Sequence, residues 1–308
     1  MNNGQGKDIV AIVLQSLTEL DDLSVYGQPK IQVQKLLDVT SPDLKRFRSS
    51  VYLCQEVIDS LASKRQLREL VVPDSYPDFR PVVPDSFLPG LEILCLPMCL
   101  VHHVTKTSWP LTNLAIDLSQ YGELESLIPG IVSHFGETLK NLSLIRPVPT
   151  QAYRMIDLIS EFAANVPKLR FLTVSVYEML VGLMHTSLPR TIPSFTSLLQ
   201  PPKYLRRIKT ADWKSFAALE TLVWFAEDSV DVARDALAIP MMSQDSAYVG
   251  GKFADAVHGT CPVLTRFIFV NESKDFVGYR WGNDGTRYEL TDPVDVEPYT
   301  TPRAWRTI

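Results

Sequence analysis

The chain has 308 residues, 45% hydrophobic and 21% charged, which is enough apolar material for one elongated domain or two ordinary ones with a large buried core. Its formal net charge of −5 gives no general attraction to phosphate backbones or anionic lipid, so neither nucleic acid nor membrane is expected as a main partner. Four cysteines are too few for a disulfide framework, and the first 20 residues lack a basic export leader; a cytoplasmic or nuclear protein is expected.

Taken in chain order, the dominant pattern is a hexamer of the form Leu-x-x-Leu-x-Leu. It occurs as "LDDLSV" at Leu20, "LKRFRS" at Leu44, "LRELVV" at Leu67, "LEILCL" at Leu91, "LTNLAI" at Leu111, "LKNLSL" at Leu139, "LRFLTV" at Leu169, "LETLVW" at Leu219 and "LTRFIF" at Leu264. Successive intervals are 24, 23, 24, 20, 28, 30, 50 and 45 residues, and six consecutive intervals of 20 to 30 fall in or near the leucine-rich-repeat range. "LKRFRS" is the weakest member, because Ser49 stands where an apolar residue is expected. The last two intervals have room for a degenerate turn, for which "LRRIKT" at Leu205 is the candidate.

Period two inside each hexamer is a strand signature, with the second Leu and the next apolar residue facing the core. Between hexamers, residues 29–38, 51–63, 123–138 and 151–165 carry apolar residues at helical spacing, and 252–259 can open another helix. Strands alternating with helices at this period predict an α/β fold: a right-handed leucine-rich-repeat solenoid, or horseshoe, with a parallel concave sheet and an irregular or helical convex side. One return differs, since residues 72–90 are dense in proline and repeat Val-Pro-Asp-Ser at 72 and 83, which predicts an extended loop. Residues 277–290 alternate around Gly-Asn-Asp-Gly and predict a β-hairpin that caps the stack with Tyr279, Trp281 and Tyr288. The expected organisation is a solenoid over 1–275 and a capping hairpin and tail over 276–308. A cap or whole domain is expected to be missing ahead of the first hexamer.

Candidate chemistry is sparse. Cys95, Cys99, His102 and His103 lie within nine residues, but their spacing fits no standard zinc finger, and packing within the repeat is the favoured reading. Gly4, Gly6 and Lys7 resemble a phosphate loop without its remaining residues. None of the five histidines lies in a nucleophile or metalloprotease motif, so no catalytic residue, metal or cofactor is expected.

The third and fifth residues of each hexamer, and the one just after the hexamer, are expected on the concave sheet, the usual binding face of a solenoid. Those singled out for a protein partner are Arg46, Arg48, Glu69, Ile93, Asn113, Asn141, Phe171, Thr173, Val223, Phe225, Arg266 and Ile268. The early positions are charged and suit an acidic partner. The later ones, with Val270, are expected to form an exposed apolar row unless the C-terminal hairpin or tail folds over them.

The irregular units "LPGLEILCL", "WPLTNLAI", "VPKLRFLTV", "FAALETLVW" and "CPVLTRFIF", together with the aromatic hairpin, resemble the repeat region of fungal F-box proteins of the large mushroom family. That resemblance covers about residues 15–290 and implies substrate recognition for a cullin-RING (SCF) ubiquitin ligase, with an F-box docking on the adaptor. Nothing in residues 1–60 matches an F-box, and "LPGLE" inserts one residue into the F-box opening while standing in register with the repeats. Only the recognition half of that function is implied, with adaptor docking left open. The alternative is a free-standing leucine-rich-repeat scaffold or inhibitor unrelated to ubiquitination.

Overall fold

The computed structural model describes residues 20–26, 33–50, 53–72, 80–98, 100–101, 109–118, 124–145, 159–177, 213–227, 254–271 and 276–290. The fold is α/β with mostly parallel strands, and residues 1–139 and 140–308 form two compact units. The first contains β1 (Asp22–Val25), α1 (Val33–Val39), β2 (Arg46–Ser49), α2 (Gln55–Ala62), β3 (Glu69–Val71), β4 (Ile93–Pro97), β5 (Asn113–Asp117) and α3 (Leu124–Phe135). Its five strands pair in parallel in chain order. The second contains β6 (Asn141–Ile145), β7 (Phe171–Tyr177), a short 3₁₀ turn (Trp213–Ser215), β8 (Thr221–Glu227), β9 (Arg266–Asn271), β10 (Phe276–Trp281) and β11 (Arg287–Leu290). Here β6 to β9 run parallel, and β10 and β11 follow antiparallel.

Every hexamer becomes a strand that starts at its third residue, and the backbone shows why. A tight turn precedes the first Leu: the N–H of Leu44, Leu67, Leu91, Leu169 and Leu264 each donates to the carbonyl three residues earlier, at 3.0–3.3 Å. The carbonyl of the second hexamer residue then accepts two N–H groups from the next hexamer. Asp21 takes those of Lys45 and Arg46, Lys45 those of Arg68 and Glu69, and Arg68 those of Glu92 and Ile93. The same forked bond recurs from Glu92, Lys140, Arg170 and Glu220, so it occurs at every step within each unit. Forked bonds at 2.8–3.1 Å lock the register before side chains are considered.

The register follows the hexamer alignment residue for residue: Asp22, Arg46, Glu69, Ile93 and Asn113 are neighbours across the first sheet, and Asn141, Phe171, Thr221 and Arg266 across the second. First and fourth hexamer positions form the core, among them Leu44, Phe47, Leu67, Leu91 and Leu94 in the first unit and Leu169, Leu172, Leu219, Leu222 and Phe267 in the second. Ser49 is buried at its irregular inward position. Across the long intervals β7 pairs directly with β8 and β8 with β9. The candidate turn "LRRIKT" at Leu205 lies outside the described residues.

The expected helices are present where described: α1, α2 and α3, with helical residues 159–165 and 254–258 within the other two segments. In the proline-rich return, residues 80–90 are irregular and turn-rich without a helix, and residues 73–79 lie outside the described residues. Two contacts hold this segment. The Gln55 side-chain amide pairs with the Val82 backbone in both directions, accepting from its N–H at 3.0 Å and donating to its carbonyl at 3.2 Å. Further along, Trp109 Nε1 donates to the Phe87 carbonyl at 2.6 Å.

The hairpin forms as expected. Its turn closes with Gly282 N–H on the Thr286 carbonyl at 2.9 Å, and Gly285 sits at φ +77°, a conformation that favours glycine. Tyr279 and Trp281 are buried against the repeat core. His258 stacks on Trp281 at 4.2 Å between ring centroids, Arg287 pairs with Asp255, and the Arg287 guanidinium lies 4.9 Å from the Tyr279 ring centre. Tyr288 departs from the expected capping role: it is 53% exposed, because it pairs with Arg280 and so shares the opposite face of the hairpin from Tyr279.

Candidate interaction surface

The face carrying third and fifth hexamer positions differs between the units. In the first, Arg48 is the hub. Its Nε and Nη2 donate to the two Glu69 carboxylate oxygens at 2.7 and 3.0 Å, and Nη1 donates to Asp22 at 3.0 Å. Arg46 reaches the same Asp22 carboxylate at 3.2 Å. Glu69 is buried, and the bidentate guanidinium compensates its desolvation. The Glu69 hydrogen bond is the main reason that Arg48 binds its proton more firmly than an ordinary arginine, with burial opposing. Arg46 is exposed, Arg48 and Ile93 are half-buried, and Asn113 is buried. The expected acidic-partner contact at Arg46 and Arg48 is therefore already met in part from within the chain.

In the second unit the residues expected to form an exposed apolar row are closed off. Phe171 is 1% exposed, Val223 and Ile268 are 0% exposed, and Val270, Asn141 and Thr173 are buried as well. Phe225 lies on β8 at the same face, but its side chain is outside the described residues. Arg266 is half-buried. Burial thus corrects the expected exposure: a sheet face supplies neighbours only within its own plane, and near-zero accessibility requires atoms above it.

Sequence reasoning missed the outer end of that row. Register continues it from Arg266 to Arg280 on β10 and to Tyr288 on β11. Alternation around the Gly-Asn-Asp-Gly turn carried the signal for the second pairing, but the alignment of the hairpin against "LTRFIF" was not readable from spacing.

Other polar groups are built into the scaffold. Lys64 is buried, donates from Nζ to the Thr40 carbonyl at 2.9 Å, and has its pKa lowered by desolvation, with nearby Asp38 opposing. The Cys261 thiol, packed at the turn before Leu264, is pushed up to about 11 by burial. Cys95 is buried on β4, whereas Cys99, His102 and His103 lie outside the described residues. Among the described residues no group of three or more His, Cys, Asp or Glu is placed to hold a metal ion, and no helix is long and apolar enough to cross a membrane.

No protein-family model matches the chain, and no curated protein matches it at significant similarity.

Proposed function

We propose that the chain is a non-catalytic protein-recognition module: a leucine-rich-repeat horseshoe whose third and fifth hexamer positions form the concave binding face. The observation that carries this reading is the in-register stacking of the hexamers by one recurring forked hydrogen bond. Such a stack presents side chains in rows at strand spacing, which suits an extended protein surface rather than a small substrate. In the first unit the accessible residues Arg46, Arg48 and Ile93 combine charge with apolar area, as protein-binding surfaces do. On the resemblance to fungal F-box proteins, the module serves as the substrate-recognition part of an F-box-like protein, in the cytoplasm or nucleus.

The test is affinity purification from a fungal extract with the wild-type chain beside an Arg46→Glu, Ile93→Asp double variant, followed by mass spectrometry. Proteins retained only by the wild type are the expected result, and adaptor and cullin retained by both versions would place the module in the ligase. Partners retained without adaptor or cullin turn the reading to a free-standing scaffold or inhibitor. Identical retention of every partner by both versions removes this face from recognition.

A further inference from the structure

The proline-rich return turns one row of side chains outward. From Arg80 to Pro84 accessibility alternates: Arg80, Val82 and Pro84 are exposed, Pro81 is buried and Val83 is half-buried. Period two is the mark of an extended backbone, and at 76% exposure Val82 is the most open large hydrophobic side chain among the described residues. A lone exposed valine is ordinary on a protein surface. What sets this one apart is how firmly its backbone is held.

The rings of Pro81 and Pro84 fix their own φ, and each proline restricts the residue before it, Arg80 and Val83, to extended conformations. Val82 is the residue that proline leaves free, and it is the one whose N–H and carbonyl the Gln55 amide grips, at 3.0 and 3.2 Å. The same amide nitrogen also donates to Asp59 at 2.9 Å, which orients the clamp. At the far end the Phe87 N–H closes a turn on the Pro84 carbonyl at 3.0 Å. Next to it, buried Leu88 sits in the left-handed region at φ +47°, a conformation that persists only where the surroundings impose it. A segment with this little freedom loses little entropy on binding. Recognition of it runs through side chains, because Pro81 and Pro84 have no N–H and that of Val82 is engaged, which leaves too few donors for strand addition.

We propose that residues 80–84 are a preorganised ligand segment for a proline-recognition domain of a partner protein. Val82 and Pro84 enter an aromatic-lined groove, and Arg80 meets a carboxylate at its rim. This goes beyond the concave-face reading, since here the partner reads the chain.

The experiment is biolayer interferometry of the full chain against a panel of purified SH3, WW and EVH1 domains. At least one domain should bind the wild type, with affinity lower by about tenfold or more in Val82→Asp and in Pro84→Ala. Gln55→Ala should lose about threefold, and a synthetic peptide of residues 78–88 should bind more weakly than the chain, because both lack the clamp. Since Val82 and Pro84 are exposed, an unchanged thermal midpoint separates lost binding from lost folding. No domain bound, equal affinity for Val82→Asp, or a peptide that binds as tightly as the chain each overturns the assignment. The Arg46→Glu, Ile93→Asp variant should bind the domain as the wild type does, so failure of the concave face in extract retention and failure of this segment are told apart.

Discussion

The two units carry the same hexamer but spend their outward positions differently. In the first, short intervals bring charged residues of opposite sign into adjacent rungs, so Asp22, Arg46, Arg48 and Glu69 form a network that neutralises itself on the sheet surface. In the second, Phe171, Val223 and Ile268 occupy the equivalent positions and are buried, while Arg266 and Arg280 bring charge at the last rung and the hairpin. An outward-facing strand position is thus not by itself an exposed one. The forked backbone bonds fix where the side chain points, and the surroundings fix whether solvent reaches it.

The largest expected effect tests whether the two cores are equivalent. Phe47 and Phe267 are both fully buried at the fourth hexamer position, and either one changed to Ala should cost about 3–5 kcal/mol in urea unfolding. A loss below about 1 kcal/mol at either site would mean that its unit is not close-packed at that position.

A cost of about 3 kcal/mol is expected for Arg48→Leu, because Glu69, with its side chain 6% exposed, is left buried without its bidentate partner. Adding Glu69→Leu should recover most of that loss. A double variant no more stable than Arg48→Leu would show that packing around Arg48, and not charge compensation, dominates.

The turn three residues before the first Leu holds Lys64 in one unit and Cys261 in the other, and the two should respond oppositely to chemistry. Cys261, with its thiol at about 11, should react with thiol reagents at mildly alkaline pH only on unfolding. Lys64 is the reverse case, a base whose proton is released more easily in the folded state, below the ordinary 10.5. The unfolded chain then binds more protons across that window, so wild-type stability rises with pH as it passes from the lowered value towards 10.5. Lys64→Met, which lacks the titration, should differ from wild type by about 1 kcal/mol near neutrality. The wild type should gain on it as the pH climbs, and parallel pH profiles of denaturation would refute the linkage.

The smallest effect should come from Gln55→Ala, which frees both backbone groups of Val82 at a residue 76% exposed and should cost about 0.5 kcal/mol or less in global stability. Its clearer signature is faster proteolysis near residue 82, and unchanged cleavage would show that the clamp does not hold the return.

The sequence by itself determined the hexamer strands and, within each unit, their order and register, because Leu at fixed spacing must face one core and the turn before it places the same backbone atoms at every rung. It also located the helical returns, the proline-rich crossing and the hairpin turn at Gly285, each a local consequence of periodicity, missing donors or a left-handed backbone. Only the tertiary structure decided which outward residues remain open. Burial of Phe171, Val223 and Ile268 depends on atoms distant in sequence, the neutralisation of Arg48 on rungs more than 20 residues away, and the opposition of Arg266 and Arg280 on hairpin pairing that periodicity does not encode. Local pattern specifies direction, whereas accessibility and charge balance are sums over neighbours brought together by folding.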